Sequence, residues 1–242
     1  MKIKIFFVLV AAAVCTCAAA AQNVVITPKK TTYRRPKAEM DFKRTFTIRR
    51  PIVKAATPAL STKITRAISP ESVLQINMKE ELGEYQWLEE ADYKVLYNAN
   101  GIICVSLWMT GTAAYPDSVT RRVVVDMRTG NRVRVAEVFQ NLPGLAGMIR
   151  KAQKIEIAKA VEEIKKEPDT GEVDPSELFS ESNYTAADLK EFSVNADGVT
   201  FYYDYGFPHV IEALQPAGEF KFTWSRLKPF VKPGGLLARF VR

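Results

Sequence analysis

Tyr93-Lys94-Val95-Leu96-Tyr97-Asn98-Ala99-Asn100-Gly101-Ile102-Ile103-Cys104-Val105 reads as two strands and the turn between them. Tyr93, Val95 and Tyr97 alternate with their neighbours, as residues on one face of a strand do. Asn98-Ala99-Asn100-Gly101 supplies the turn, because Asn and Gly tolerate the positive φ that a tight hairpin needs. Ile102 to Thr110 then returns as the second strand. The same pattern recurs outward. Arg121 to Met127 reads as a strand, Thr129-Gly130-Asn131 as its turn and Arg132 to Val135 as the return. Upstream, Val73 to Asn77 alternates apolar and polar. Downstream, Asn195-Ala196-Asp197-Gly198 is a turn feeding a strand at Val199 to Tyr205, and Glu219 to Thr223 is a last strand before a short helix or turn at Trp224 to Val231. Short strands joined by tight turns predict an antiparallel sheet.

Residues 142 to 166 change period. Leu145, Met148, Ile149, Ala152, Ile157, Ala160, Val161 and Ile164 recur at threes and fours, which predicts one long amphipathic helix. Its polar face mixes the bases of the 150s with Glu156, Glu162 and Glu163. A helix lying on a membrane would be mostly basic there, so the apolar stripe is expected to cover the sheet. Thr185 and Asp188 form a capping-box pattern for a short helix to about Phe192. Residues 167 to 182 read as an acidic, polar surface loop. Strands, helix, strands is the order of an α+β domain, here an antiparallel sheet of hairpins packed by one long helix.

The chain has 242 residues, 47% hydrophobic and 25% charged, and a formal net charge of +7. That is globular composition with enough apolar material for a core. The charge is uneven. Residues 22 to 54 hold ten bases against two acids, whereas residues 55 to 242 hold 22 bases against 25 acids. The basic excess thus belongs to one segment. Residues 22 to 68 also carry Pro28, Pro36, Pro51 and Pro58 and show no sustained period, so they read as an extended, mostly disordered arm. Tyr33, Phe42 and Phe46 interleave with its bases, a composition that suits polyanion binding and equally suits a solvated linker.

Residues 1 to 21 read as an export signal. Met1 to Lys4 is basic, Ile5 to Val14 is a ten-residue apolar run, and Ala19-Ala20-Ala21 offers the small residues that a signal peptidase needs, with cleavage before Gln22. The expectation is a secreted or periplasmic protein without a permanent membrane helix. Cys15 and Cys17 raise lipid anchoring as an alternative, though neither has the small residue before it and the Leu three before it that attachment favours. Beyond the signal only Cys104 remains. It has no internal disulfide partner and is expected to be a buried, inert thiol on a strand.

Three stretches together resemble a known family. They are Tyr97 to Ile103 continuing through Ser106-Leu107; Val124-Val125-Asp126-Met127-Arg128-Thr129-Gly130-Asn131-Arg132-Val133 ending in Glu137-Val138-Phe139; and Asp197-Gly198-Val199-Thr200-Phe201-Tyr202-Tyr203 with Tyr205, Gly218, Phe220 and Trp224-Ser225-Arg226-Leu227-Lys228-Pro229-Phe230. In order and spacing these residues, from about 70 to 235, resemble the C-terminal domain of lysozyme-sensing anti-sigma factors of the RsiV type. A similar domain accompanies some peptidoglycan deacetylases. The resemblance implies an extracytoplasmic α+β module that binds a lysozyme-like protein or cell-wall material. The sequence shows neither a sigma-binding segment nor a deacetylase domain, so a free-standing domain at about 69 to 242 is expected. Phe207-Pro208-His209-Val210 departs from the family's pattern at that place.

Catalytic constellations are sparse. One histidine, His209, and one cysteine outside the signal cannot assemble a conventional zinc site. Gly144 and Gly147 lie at the start of the long helix without the strand that a phosphate-binding loop requires. The carboxylate pairs Glu80–Glu81 and Glu89–Glu90 are adjacent in sequence, and adjacent strand residues point apart. Asp126 reads as a turn-bonding residue before Thr129-Gly130. No cofactor is expected. The candidate binding residues are Tyr203, Tyr205, Phe207 and His209, because alternate tyrosines share one strand face and an exposed Tyr suits protein or sugar contacts. The expectation is a non-catalytic binding or sensing module for a lysozyme-like protein or peptidoglycan, with nucleic acid disfavoured. The alternatives are a peptidoglycan-acting enzyme using carboxylates such as Glu89 or Asp126, and a polyanion binder acting through the basic arm.

Overall fold

A computed structural model describes residues 24–166 and 174–242. The segment expected to be an export signal, with Cys15 and Cys17, and part of the segment expected to be an acidic loop lie outside the described residues. The chain is α+β, with two sheets. The first has five strands in sequence order: β1 (Val25–Arg34), β2 (Thr45–Lys54), β3 (Leu88–Ala99), β4 (Ile102–Thr112) and β5 (Pro116–Asp126). The second has three antiparallel strands, β6 (Phe192–Val194), β7 (Gly198–Tyr202) and β8 (Glu219–Thr223).

The expected hairpin is present. Ala99 faces Ile102 across a two-residue loop, and Asn100 and Gly101 take φ of 50° and 71°, both left-handed as a twisted hairpin requires. β4 lies between β3 and β5 and is covered on both faces, so Ile102 to Val105 are all fully buried. Their alternation divides them between two cores. Ile102 and Cys104 join Val124, Leu145 and Ile149 and the phenylalanines of the second sheet, Phe192, Phe201, Phe220 and Phe222. Ile103, Val105 and Leu107 join Val125, Phe46, Ile48 and Ile64 on the opposite face. Each such side chain, fully buried, stabilises the fold by about 1.5–3 kcal/mol.

Three short helices connect β2 to β3: α1 (Pro58–Ala67), α2 (Pro70–Val73) and α3 (Met78–Leu82). Thr57, Ser69 and Asn77 each cap one, accepting hydrogen bonds from backbone N–H groups one turn in. This long crossover makes β2 and β3 parallel, paired at Thr47↔Glu90 and Ile48↔Ala91. The first sheet is therefore mixed. The expected strand at Val73–Asn77 is instead the end of α2, a left-handed residue at Gln75 (φ 58°) and the cap of α3. Side-chain capping by Ser69 and Asn77 outweighs a short alternation.

The segment expected to be a disordered arm is ordered. It forms β1 and β2, paired along their whole length from Val25↔Lys54 to Arg34↔Thr45, and then α1. Its apolar period is masked by a change of face within β2. Phe46 and Ile48 are buried, and beyond Arg49-Arg50 the buried residues are Pro51 and Val53, one position out of step. Pro51 is tolerated because β2 pairs with β3 only at Thr47 and Ile48, which leaves the proline outside that ladder.

The short helix α4 (Val135–Val138) precedes the long helix α5 (Leu142–Ile164), 23 residues, which buries Leu145, Ile149, Gln153, Ala160 and Ile164 along one stripe. Asn141, left-handed at φ 48°, caps α5 by accepting from the Gly144 N–H. The expected return strand at Arg132–Val135 is reduced to one bridge, Val125↔Arg132. The Thr185–Asp188 capping box exists, but it opens a single 3-10 turn at Ala186–Asp188, and Phe192 starts β6. A last helix, α6 (Trp224–Leu227), follows β8.

Candidate binding surface

β7 ends at Tyr202, three residues earlier than its alternation suggested. The chain is still held to its neighbour, since the Tyr203 N–H donates to the Gly218 carbonyl at 2.9 Å. The approach requires glycine: Gly218 has φ +61°, and a Cβ there would lie 2.0 Å from the Tyr203 oxygen. Beyond this point Tyr205 and Phe207 fold against Phe179, with ring centroids 5.6 and 5.2 Å from it, and Tyr203 stacks edge-on to Tyr205 at 5.0 Å. Tyr203 also packs on the buried Tyr184. Tyr203, Tyr205 and Phe207 are thus half-buried members of an aromatic layer against the carboxyl-terminal half of α5.

Glu156 of α5 fixes that layer. Its carboxylate accepts from the Tyr205 hydroxyl at 2.7 Å and from the Gly218 N–H at 3.2 Å. Burial, and then the Glu156 carboxylate beside it, push the Tyr205 phenol well above its ordinary range. Tyr205 is held as a hydrogen-bond donor and does not ionise near neutrality.

His209 is placed differently. The Phe207 N–H donates to the Gln215 side chain, and Pro208 starts a 3-10 turn at His209–Leu214 that carries the imidazole outward. His209 is exposed, with Nδ1 3.2 Å from a Glu212 carboxylate oxygen. Its ring lies 5.3 Å from that of Tyr115, in the loop between β4 and β5. Tyr115 is 67% exposed and Val210 90% exposed. The Tyr115 and His209 rings therefore form an exposed aromatic rim contributed by two distant parts of the chain, and the exposed Val210 follows His209 in sequence. Of these two rings, only His209 was among the residues expected from the sequence to face a partner. The available signal was a large aromatic beside Pro116 in the short loop Ala113-Ala114-Tyr115, where its only apolar neighbours are small alanines.

The other singled-out groups have structural surroundings. Cys104 is fully buried in β4 and its sulfur accepts from the Val194 N–H at 3.4 Å; burial pushes the thiol up to about 12. Asp126 accepts from the Arg128 N–H and the Thr129 hydroxyl, the turn role its position suggested. Glu81 is buried against Arg35, while Glu89 and Glu90 alternate in β3. Arg122 lies over the Tyr202 ring at 3.8 Å and pairs with Glu191. Among the described residues no cluster of His, Cys, Asp and Glu is arranged to hold a metal ion, and no helix is long and apolar enough to cross a membrane.

No family model and no curated protein sequence matches the chain. Two solved structures resemble it. A DUF3298 family protein from Pseudomonas aeruginosa PAO1 shares 13% identity at a TM-score of 0.58, over 88% of this chain and 96% of that one. A DUF3298 family member from Bacteroides fragilis NCTC 9343 shares 12% identity at a TM-score of 0.51, over 90% of this chain and 98% of that one. At these identities the likeness is one of fold. It covers more of the chain than residues 70 to 235 and so takes in part of the amino-terminal segment that forms β1, β2 and α1.

Proposed function

We propose that the chain is a non-catalytic binding module of the cell envelope that engages a lysozyme-like protein or wall glycan through the Tyr115–His209–Val210 rim. The observation that carries this reading is the pairing of the exposed Tyr115 and His209 rings from two distant parts of the chain, with the exposed Val210 next to His209 in the same turn. Aromatic side chains with one polar end are favoured where a surface meets a protein or sugar partner. The half-buried layer of Tyr203, Tyr205 and Phe207 beneath supports the rim by fixing the backbone that leads to His209. The export signal and the DUF3298-like fold support the envelope setting.

The test is calorimetric titration of the protein with c-type lysozyme and, separately, with soluble peptidoglycan fragments. Saturable binding to one of them, weakened by Tyr115→Ala and Val210→Asp, is expected. Binding to neither, or turnover of the glycan, would contradict the reading.

One observation favours a second reading, polyanion binding by the amino-terminal ribbon. Lys29 lies directly across from Arg50, and Lys30 across from Arg49, and like charges placed so destabilise a strand pair. Glu71 and Asp92 offset the two arginines. Neither lysine has an ion-pair partner among the described residues. This reading predicts affinity for heparin that falls steeply with salt and is lost in Lys29→Ala/Lys30→Ala; salt-insensitive binding would exclude it.

A further inference from the structure

We propose that the cavity between the amino-terminal half of α5 and α6 is a binding site for a monomeric amphiphilic anion, an alkyl-phosphate-like molecule with an acidic head and an apolar chain. The site is separate from the Tyr115 rim and does not depend on it. The cavity has a volume of about 580 Å3, and small-molecule sites range over about 300–1,000 Å3. Four cations line it: Arg150, Lys151 and Lys154 from α5 and Arg226 from α6. None of its lining residues is acidic. The remaining wall is apolar, with Met148 and Phe230 at its sides. At Gly147 a Cβ would meet nothing within 4 Å, so the glycine leaves this wall open.

The charge arrangement is mildly unfavourable without an anion. Lys154 stands four residues from Arg150 and three from Lys151, and like charges at these helical spacings repel. Elsewhere the protein pairs exposed cations locally, as in Arg134–Glu137, Lys165–Glu162 and Lys221–Glu219. The four cavity cations have no carboxylate partner among the described residues. An acidic headgroup relieves that repulsion, and an apolar chain covers Met148 and Phe230. Charge alone would suit inorganic phosphate; the apolar wall selects the amphiphile, since each methylene removed from water strengthens binding roughly four-fold.

The experiment titrates the purified protein calorimetrically with dodecyl phosphate below its critical micelle concentration, and in parallel with inorganic phosphate and with phosphatidylglycerol vesicles. Saturable one-to-one binding of dodecyl phosphate is expected, with inorganic phosphate far weaker. Lys151→Glu/Lys154→Glu should weaken it by on the order of ten-fold or more, and Arg226→Gln serves if the double variant loses its native circular dichroism. Gly147→Leu separates shape from charge. Leucine favours a helix interior over glycine, so Tm should hold or rise while dodecyl phosphate binding is lost. Equal affinity for inorganic phosphate, binding to vesicles alone, no saturable binding, or variants that bind as well as the parent would each overturn the proposal.

Discussion

The Arg35 guanidinium lies 3.1 Å from the Glu81 carboxylate, with the two side chains 0% and 8% exposed. It also donates at 2.7 Å to the carbonyls of Glu81, Lys43 and Leu88, and it stands over the Phe46 ring. The same Glu81 carboxylate accepts from the Leu88 N–H at 2.8 Å. One buried cation thus fastens the β1–β2 hairpin to α3 and to the first residue of β3. Breaking a buried pair strands a charge, so Arg35→Ala should destabilise by about 3–5 kcal/mol in urea unfolding. A loss below about 1 kcal/mol, the range of exposed pairs, would show that the hairpin is held by other contacts.

Gly218 is expected to be intolerant for a different reason. Its positive φ and the 2.0 Å approach to the Tyr203 carbonyl leave no room for a methyl group. Gly218→Ala should cost about 2–4 kcal/mol, measured by the same method. Gly206, also at positive φ but with open space around it, should tolerate alanine better, and equal losses at both sites would contradict the close-approach argument.

Much of this was legible in the sequence, and the failures have identifiable causes. Asn100-Gly101 announces its hairpin because the signal is local: two residues must take positive φ, and these two residue types do. The stripe of α5 is legible because 23 residues hold one period. The β1–β2 ribbon was not. Its period breaks at Arg49-Arg50, and Arg35, one of ten bases in that segment, is buried where solvated charge is the ordinary expectation. The parallel join of β2 to β3 depends on a crossover of three short helices, which no local pattern encodes. The rim was half legible. His209 was visible as the only histidine, but its neighbour Tyr115 lies 94 positions earlier in the chain.

Cys104 should be silent chemically. With its thiol pushed from the ordinary 9.0 to about 12, the buried group favours the protonated form in the folded state. The folded value is raised, so its contribution to stability is complete below pH 9.0 and is lost as pH rises toward about 12. Residues 22–242, which keep Cys104 as their one cysteine, should therefore react with a thiol reagent only on unfolding. Its unfolding free energy should fall more steeply above pH 9.0 than that of Cys104→Ala. Rapid labelling of the native protein, or identical pH slopes, would contradict this.

Tyr205→Phe removes the donor that Glu156 holds at 2.7 Å and leaves that carboxylate with the Gly218 N–H. We expect a loss of about 1.5–3 kcal/mol of stability, the usual contribution of a hydrogen bond to a charged group. Tyr115→Ala, at a 67% exposed ring, should leave stability within about 0.5 kcal/mol of the parent. The contrast separates the supporting layer from the rim. A large loss on Tyr115→Ala would mean that its ring braces the β4–β5 loop instead of facing a partner.

The most direct test of the binding reading is calorimetry of residues 22–242 with c-type lysozyme at low and at high salt, parent against Tyr115→Ala/Val210→Asp. Lysozyme is basic, as is the β1–β2 ribbon, so attraction has to come from elsewhere on the domain. Micromolar or tighter binding that survives salt and is lost in the rim variant is expected. Binding that is unchanged in the rim variant, or absent from the parent with lysozyme and with peptidoglycan fragments alike, would contradict it.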